Sequence, residues 1–136
     1  MIDGRKAVDE ARKWIGTPFH HQARLIGVGV DCIGVVIGVA RALNYCCHDV
    51  AGYSKNPFRQ QLRENLEMDV DRIHVLEDGC ILLMCFDADP QHVAIYNAVD
   101  DTIIHALAVQ KTCVEHRLDT VWKSRIKALY RFRENV

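Results

Sequence analysis

The sequence has no charge of one sign to spare. Lys and Arg number 17 against 18 Asp and Glu, for a net charge of −1. With no basic excess to neutralise phosphates, backbone-driven nucleic-acid binding is excluded. Long apolar runs are also absent, and every one falls short of the roughly 18–20 residues that span a bilayer. No membrane partner is expected. The opening residues Met1-Ile2-Asp3-Gly4-Arg5-Lys6 lead into mixed charge with no apolar core. No secretory signal peptide is expected, and the thiols are read as reduced. No Pro/Gly/Ser linker, internal repeat or low-complexity tract interrupts the chain. One domain over residues 1–136 follows, long enough to bury a core without disulfide or metal staples.

Metal-site signatures are missing too. There is no CxxC pair and no HExxH among the six cysteines and seven histidines. Cys46-Cys47-His48 is the one dense cluster, and adjacent cysteines rarely chelate the same ion. Neither a metal nor a cofactor is expected. Cys46, Cys47, Cys80, Cys85 and Cys113 are read as unpaired. Cys80 and Cys85, an odd number of residues apart on one strand, point to opposite faces and cannot join.

What is present is ordinary globular composition, 49% hydrophobic and 26% charged. The first half is helical in pattern. Val8, Ala11 and Ile15 recur at helical spacing behind a capping Asp3, and Gly16-Thr17-Pro18 closes that segment. A loop over 19–31 leads to a helix from Cys32 to Asn44 that is apolar nearly all round, hence buried on most sides. Gly34 and Gly38 in it suit a close approach to a sheet. A third helix is expected over 57–66. The second half changes to strand patterns at Cys80–Phe86, His92–Tyr96, Thr102–Leu107, Lys111–Leu118 and Ile126–Phe132, with a helical turn near Asp119–Lys123. Short connections imply an antiparallel meander. Helices first and strands afterwards define an α+β fold.

Cys32 is the most informative residue. Asp31 can cap the helix that Cys32 opens, and the positive end of a helix favours a thiolate. In Gln91-His92-Val93-Ala94-Ile95-Tyr96, alternation sets His92, Ala94 and Tyr96 on one face, in place to meet a helix packed there. A cysteine with an imidazole is the minimum for thiol nucleophilic catalysis. His105 can stand beside His92 across a hairpin and fix its tautomer. His20-His21-Gln22, in the loop before Cys32, lines a substrate cleft or is solvated. His48, His74 and His116 are assigned surface or structural roles.

These residues fall into a pattern. Trp14-Ile15-Gly16-Thr17-Pro18-Phe19, Asp31-Cys32-Ile33-Gly34, His92-Val93-Ala94-Ile95-Tyr96 and Ile104-His105-Ala106 together resemble the NlpC-type cell-wall cysteine peptidases. His21-Gln22-Ala23-Arg24 with Gly27-Val28-Gly29-Val30-Asp31-Cys32 resembles their phage tail-associated branch. The resemblance implies a papain-like fold, with N-terminal helices packed on a C-terminal antiparallel sheet. It implies Cys32 as nucleophile, His92 as base and His105 as the orienting residue. It also implies substrate contacts from Asp31, Phe19, His21 and Gln22. The substrate would be the stem peptides of peptidoglycan, and the partners phage tail proteins. The chain would be made in the cytoplasm and assembled into a virion tail.

Two positions depart from the family pattern. Phe19 stands where many members have Tyr, which leaves backbone amides, chiefly that of Cys32, as the oxyanion hole. Ile33 stands where many have Ser, so it cannot hydrogen-bond a substrate carboxylate. An amidase or acyltransferase using the same triad, or a tail-assembly protein keeping only the fold, are the alternative expectations.

Overall fold

The computed structural model describes residues 2–49, 61–86 and 90–135. Asp3 caps α1 (Gly4–Arg12), its carboxylate accepting from the amides of Arg5 and Lys6. The buried stripe Ala7, Val8 and Ala11 turns that helix inward. Gly16, at φ 89°, then reverses the chain. The segment 19–31, expected as plain loop, contains a small hairpin of β1 (Arg24–Leu25) and β2 (Gly29–Val30), with Gly27 at φ 78° in its turn.

α2 (Cys32–Leu43) is capped at both ends. Asp31 accepts from the Gly34 amide at 2.9 Å, and Asn44 ends the helix in the left-handed region. Its glycines admit close neighbours, as expected, but those neighbours are not the sheet. A Cβ on Gly38 would lie 2.2 Å from the Trp14 ring, and one on Gly34 2.7 Å from Val30 and 2.8 Å from the Ala23 carbonyl. The two positions let α2 nest against the end of α1 and against the β1–β2 hairpin. α3 (Gln61–Glu67) covers the later part of the third expected helix. Residues 57–60 of that expectation lie outside the described residues.

The remaining elements are β3 (Val70–Ile73), β4 (Ile81–Cys85), β5 (Pro90–Asn97), β6 (Thr102–Leu107), a 3₁₀ turn at Ala108–Gln110, β7 (Thr112–Arg117), α4 (Thr120–Ser124) and β8 (Ile126–Phe132). The strands make one antiparallel six-stranded sheet in the order β3-β8-β4-β5-β6-β7. The expected meander holds for β4 to β7. β8 instead returns to pair with β4 on its other side, and β3 adds an edge strand absent from the sequence reading.

The sheet has two different faces. Ile81, Leu83, Val93, Ile95, Ile104 and Ala106 pack with Val8, Val35, Val36 and Val39 of α1 and α2. Leu82, Met84, Ala94, Tyr96 and Ile103 form a second cluster with Leu118, against which Trp122 of α4 packs. α1 is also tied to the sheet by charge. Arg12 donates to Glu115 on β7 at 2.9 and 3.0 Å, and Arg5 donates to Asp78 and Asn97. The result is an α+β fold, with α1 and α2 on one face of an antiparallel sheet and α4 on the other.

Candidate active site

The approach to Cys32 is built by Asp31, which is buried. One carboxylate oxygen accepts from the Gly34 amide and, at 2.7 Å, from the Arg24 guanidinium. The other accepts from the Gln22 amide at 2.8 Å and stands 4.0 Å from His21 Nδ1. Gln22 sits at φ 64°, a left-handed conformation that the bond to Asp31 helps hold. Asp31 is therefore committed to shaping the loop, and a substrate amine would have to share it with Arg24. Gln22 Nε2 lies 3.3 Å from His21 Nε2. The His20 side chain packs on Gly29, where a Cβ would come within 2.9 Å of the ring.

Cys32 is partly exposed and packs against the cluster under α2. It lines a cavity of about 90 Å³ together with Phe19, His21, Asp31, Ile33 and Gln91. The cavity continues along α2 to Asp69 and Val70. The polar groups at the thiol are the backbone N–H groups of Val93 and Ile33. Cys32 thus meets β5 at the residue that follows His92.

His92 itself lies on the other face of the strand. It pairs across β4 with Met84, and its ring contacts Phe86, His105 and Trp122. The sequence reading expected α2 on the His92 face. The larger apolar residues Val93 and Ile95 attract the helices instead, and α4 covers the histidine. Among the described residues Cys32 and His92 share no hydrogen bond. The thiol meets β5 at the backbone of Val93.

His92 and His105 do come together, with His92 Nε2 2.5 Å from His105 Nδ1. No described residue hydrogen-bonds to His92 Nδ1. The chain of rings continues beyond the expected pair. His105 Nε2 lies 2.8 Å from His116 Nε2, and His116 Nδ1 lies 3.0 Å from the Arg117 carbonyl oxygen. Trp122 contacts all three rings. His116 was assigned a surface or structural role in the sequence reading. The signal that finds it is strand parity. His116 pairs with Ile103 across the β6–β7 hairpin, and Ile103 shares the face of His105.

The electrostatics describe a neutral resting site. Burial, reinforced by the Asp31 charge, pushes the Cys32 thiol up to about 12, against the pull of the Val93 and Ile33 amides and Arg24. Burial and the capping carboxylate work against the thiolate that the helix end favours. Burial, then the charges of Arg125 and His116, lowers His92 to about 3. Burial and its two histidine neighbours lower His105 to about 2. Such a site holds a thiol and neutral imidazoles until a proton is moved.

The Cys46–His48 segment lies at the far end of the cavity. His48 Nδ1 pairs closely with Asp69, and Cys46 Sγ donates to the Glu134 carbonyl at 3.4 Å. Among the described residues no group of His, Cys, Asp and Glu is arranged to hold a metal ion. None of the six cysteines is in a disulfide. Among the described residues no helix is long and apolar enough to cross a membrane.

The fold is papain-like, in the form found in NlpC/P60 domains. The chain superposes on an NlpC/P60 family protein from Bacillus cereus with a TM-score of 0.74 and 14% identity, covering 96% of this chain and 40% of that one. It superposes on the NlpC/p60 domain of the peptidoglycan hydrolase SagA with a TM-score of 0.68 and 22% identity, over 96% of this chain and 99% of that domain. NlpC2 from Trichomonas vaginalis gives a TM-score of 0.73 at 15% identity, over 99% of this chain and 49% of that one. The chain therefore spans less than half the length of the Bacillus and Trichomonas proteins and nearly all of the SagA domain. No family model matches the sequence, and no curated protein matches it.

Proposed function

We propose that this chain is a thiol peptidase that hydrolyses the stem peptides of peptidoglycan. The observation that carries the reading is the pairing of His92 Nε2 with His105, which leaves His92 Nδ1 open at the peptide that the Cys32 thiol approaches. Likeness to the domain of a named peptidoglycan hydrolase supports the choice of substrate.

In the proposed reaction, His92 Nδ1 takes the Cys32 proton as the sulfur attacks the peptide carbonyl carbon. The S–H bond breaks, and N–H and S–C bonds form. Backbone amides at the start of α2, led by that of Cys32, receive the developing oxyanion. The C–N bond then breaks, and the leaving amine takes the proton from His92. Water, deprotonated by the same imidazole, hydrolyses the thioester. Phe19, His21 and Asp31 line the cavity at Cys32, Gln22 bonds to Asp31 behind them, and the four are proposed to hold the stem peptide. Catalytic hydrogen bonds are commonly long before substrate binds, and proton transfer needs Cys32 and His92 to close to about 3 Å.

A place on a phage or prophage tail is proposed from the resemblance of residues 21–32 to that branch. Peptide mass spectrometry of purified virions tests it, and absence of the chain from them removes it. The activity is tested by mass spectrometry of muropeptides released from purified walls. Wild type should release peptide fragments and Cys32→Ala none. Products cut only between sugar and peptide would assign an amidase, and intact walls would leave the tail-assembly reading.

A further inference from the structure

His92, His105 and His116 form an unbroken row from the buried strand β5 to the rim of β7, ending on a backbone carbonyl. We propose that His116 is a positioning residue that fixes the tautomer of His92 and accepts the positive charge created when Cys32 is deprotonated. The proposal rests on the assignment of Cys32 and His92 as nucleophile and base.

The tautomers follow from the one partner that cannot donate. The Arg117 carbonyl only accepts, so His116 Nδ1, 3.0 Å away, carries the hydrogen. A neutral His116 then presents a bare Nε2, and His105 Nε2 at 2.8 Å must be the donor. His105 Nδ1 is therefore bare, and His92 Nε2 at 2.5 Å carries its hydrogen. His92 Nδ1 is left unprotonated, as a base requires. One backbone carbonyl sets three rings.

The same row can move a charge. When Cys32 S–H breaks and His92 Nδ1–H forms, His92 Nε2–H can pass to His105 Nδ1. His105 Nε2–H then passes to His116 Nε2. Each ring loses one proton and gains one, except His116, which ends with both nitrogens protonated. The direction is set by burial, because His92 and His105 are 4% and 0% exposed while His116 is partly exposed. Arg125, stacked 4.4 Å over Trp122 and 5.1 Å over Phe86, is the cation facing the inner end of the row and repels charge from His92. The nearest carboxylate on the strand of His116, Glu115, is turned to the other face, where it binds Arg12. At lower pH a proton taken from solvent brings the row to that same end state. Protonated His116 donates through Nε2, both inner rings switch to Nδ1–H, and the base at His92 is blocked.

The test is two-bond ¹⁵N–¹H NMR of the full ¹⁵N-labelled chain, with acylation by a synthetic stem peptide measured in parallel. At pH 8 the wild type should show Nε2–H at His92 and His105 and Nδ1–H at His116. The inner rings should switch together as the pH is lowered. His116→Ala should mix the inner tautomers and slow acylation ~10–100-fold, with a changed pH profile. His116→Gln offers an amide oxygen to His105 Nε2–H but takes no proton, so it should keep the tautomers and recover only part of the rate. Nδ1–H at His92 in the wild type, or unchanged tautomers and acylation in His116→Ala, would overturn the proposal. Should His116→Ala fail to fold, the wild-type tautomers and His116→Gln still decide. The expected tautomers, lost in His116→Ala, together with an uncleaved stem peptide would support the tautomer row and remove the peptidase reading.

Discussion

His105 lies wholly inside the protein without a charged partner, and its two nitrogens are spent on two other imidazoles. Its contribution to turnover should be orientation of His92. His105→Ala should lower the rate ~10–1000-fold, and Asn or Gln, able to accept from His92 Nε2 through a carbonyl oxygen, should recover part of it. Steady-state kinetics on stem peptides check this, and full activity in His105→Ala would remove the orienting role. Cys32, His92 and His105 stand out in the sequence as candidates because each occupies a marked position: a capped helix start, a strand start, and a polar residue inside an apolar strand. The state of Cys32 was not legible. A helix start argues for a thiolate, whereas burial and the Asp31 charge, known only from packing, argue for the thiol. The contact of His116 with His105 was not legible, because a partly exposed strand histidine looks the same in sequence whether or not it meets another ring.

At the scale of elements, α2 is held where it is by two close approaches. The Gly38 site has no room for a methyl group, since its Cβ would overlap the ring of Trp14, itself 6% exposed. Gly38→Ala should therefore destabilise the protein by about 1–3 kcal/mol, even though alanine favours a helix. Urea unfolding measures this, and an unchanged or raised midpoint would show that Trp14 moves aside at no cost. The helices and the strands from β4 onward were readable from hydrophobic periodicity and turn residues. β3 was not, because Val70-Asp71-Arg72-Ile73 is short and half charged and becomes a strand only by pairing with β8. The β1–β2 hairpin was hidden for a similar reason, having two residues per strand. The face of β5 that receives α2 was misjudged, because alternation says which residues share a side and not which side a helix takes.

Across the whole molecule, the sheet separates an apolar face under α1 and α2 from a face where histidines lie beneath Trp122. Keeping His92 and His105 neutral couples that arrangement to pH. Their folded values, about 3 and about 2, lie below the ordinary 6.5, so the unfolded chain binds more protons as pH falls below 6.5. Stability is full above 6.5 and is lost progressively toward pH 3, with a limiting slope of about 1.4 kcal/mol per pH unit for each ring. Glu115, lowered to about 2 chiefly by Arg12, adds its loss only below its ordinary 4.5. Urea midpoints at pH 7.5 and 5.0 thus isolate the histidines. The midpoint should be lower at pH 5.0, and equal midpoints would contradict the buried neutral pair. The α+β class and the order of helices before strands were evident from the sequence. The division of the sheet into two faces needed the tertiary packing.

On the proposed mechanism, Cys32 forms a covalent acyl intermediate with a peptidoglycan stem peptide. Intact-protein mass spectrometry tests it most directly, on samples acid-quenched during turnover of a synthetic stem peptide. The wild type should gain the mass of the acyl fragment, mapped by digestion to Cys32, and Cys32→Ala should show neither adduct nor cleavage. Cleavage of the peptide by Cys32→Ala, or an adduct on another cysteine, would contradict the account.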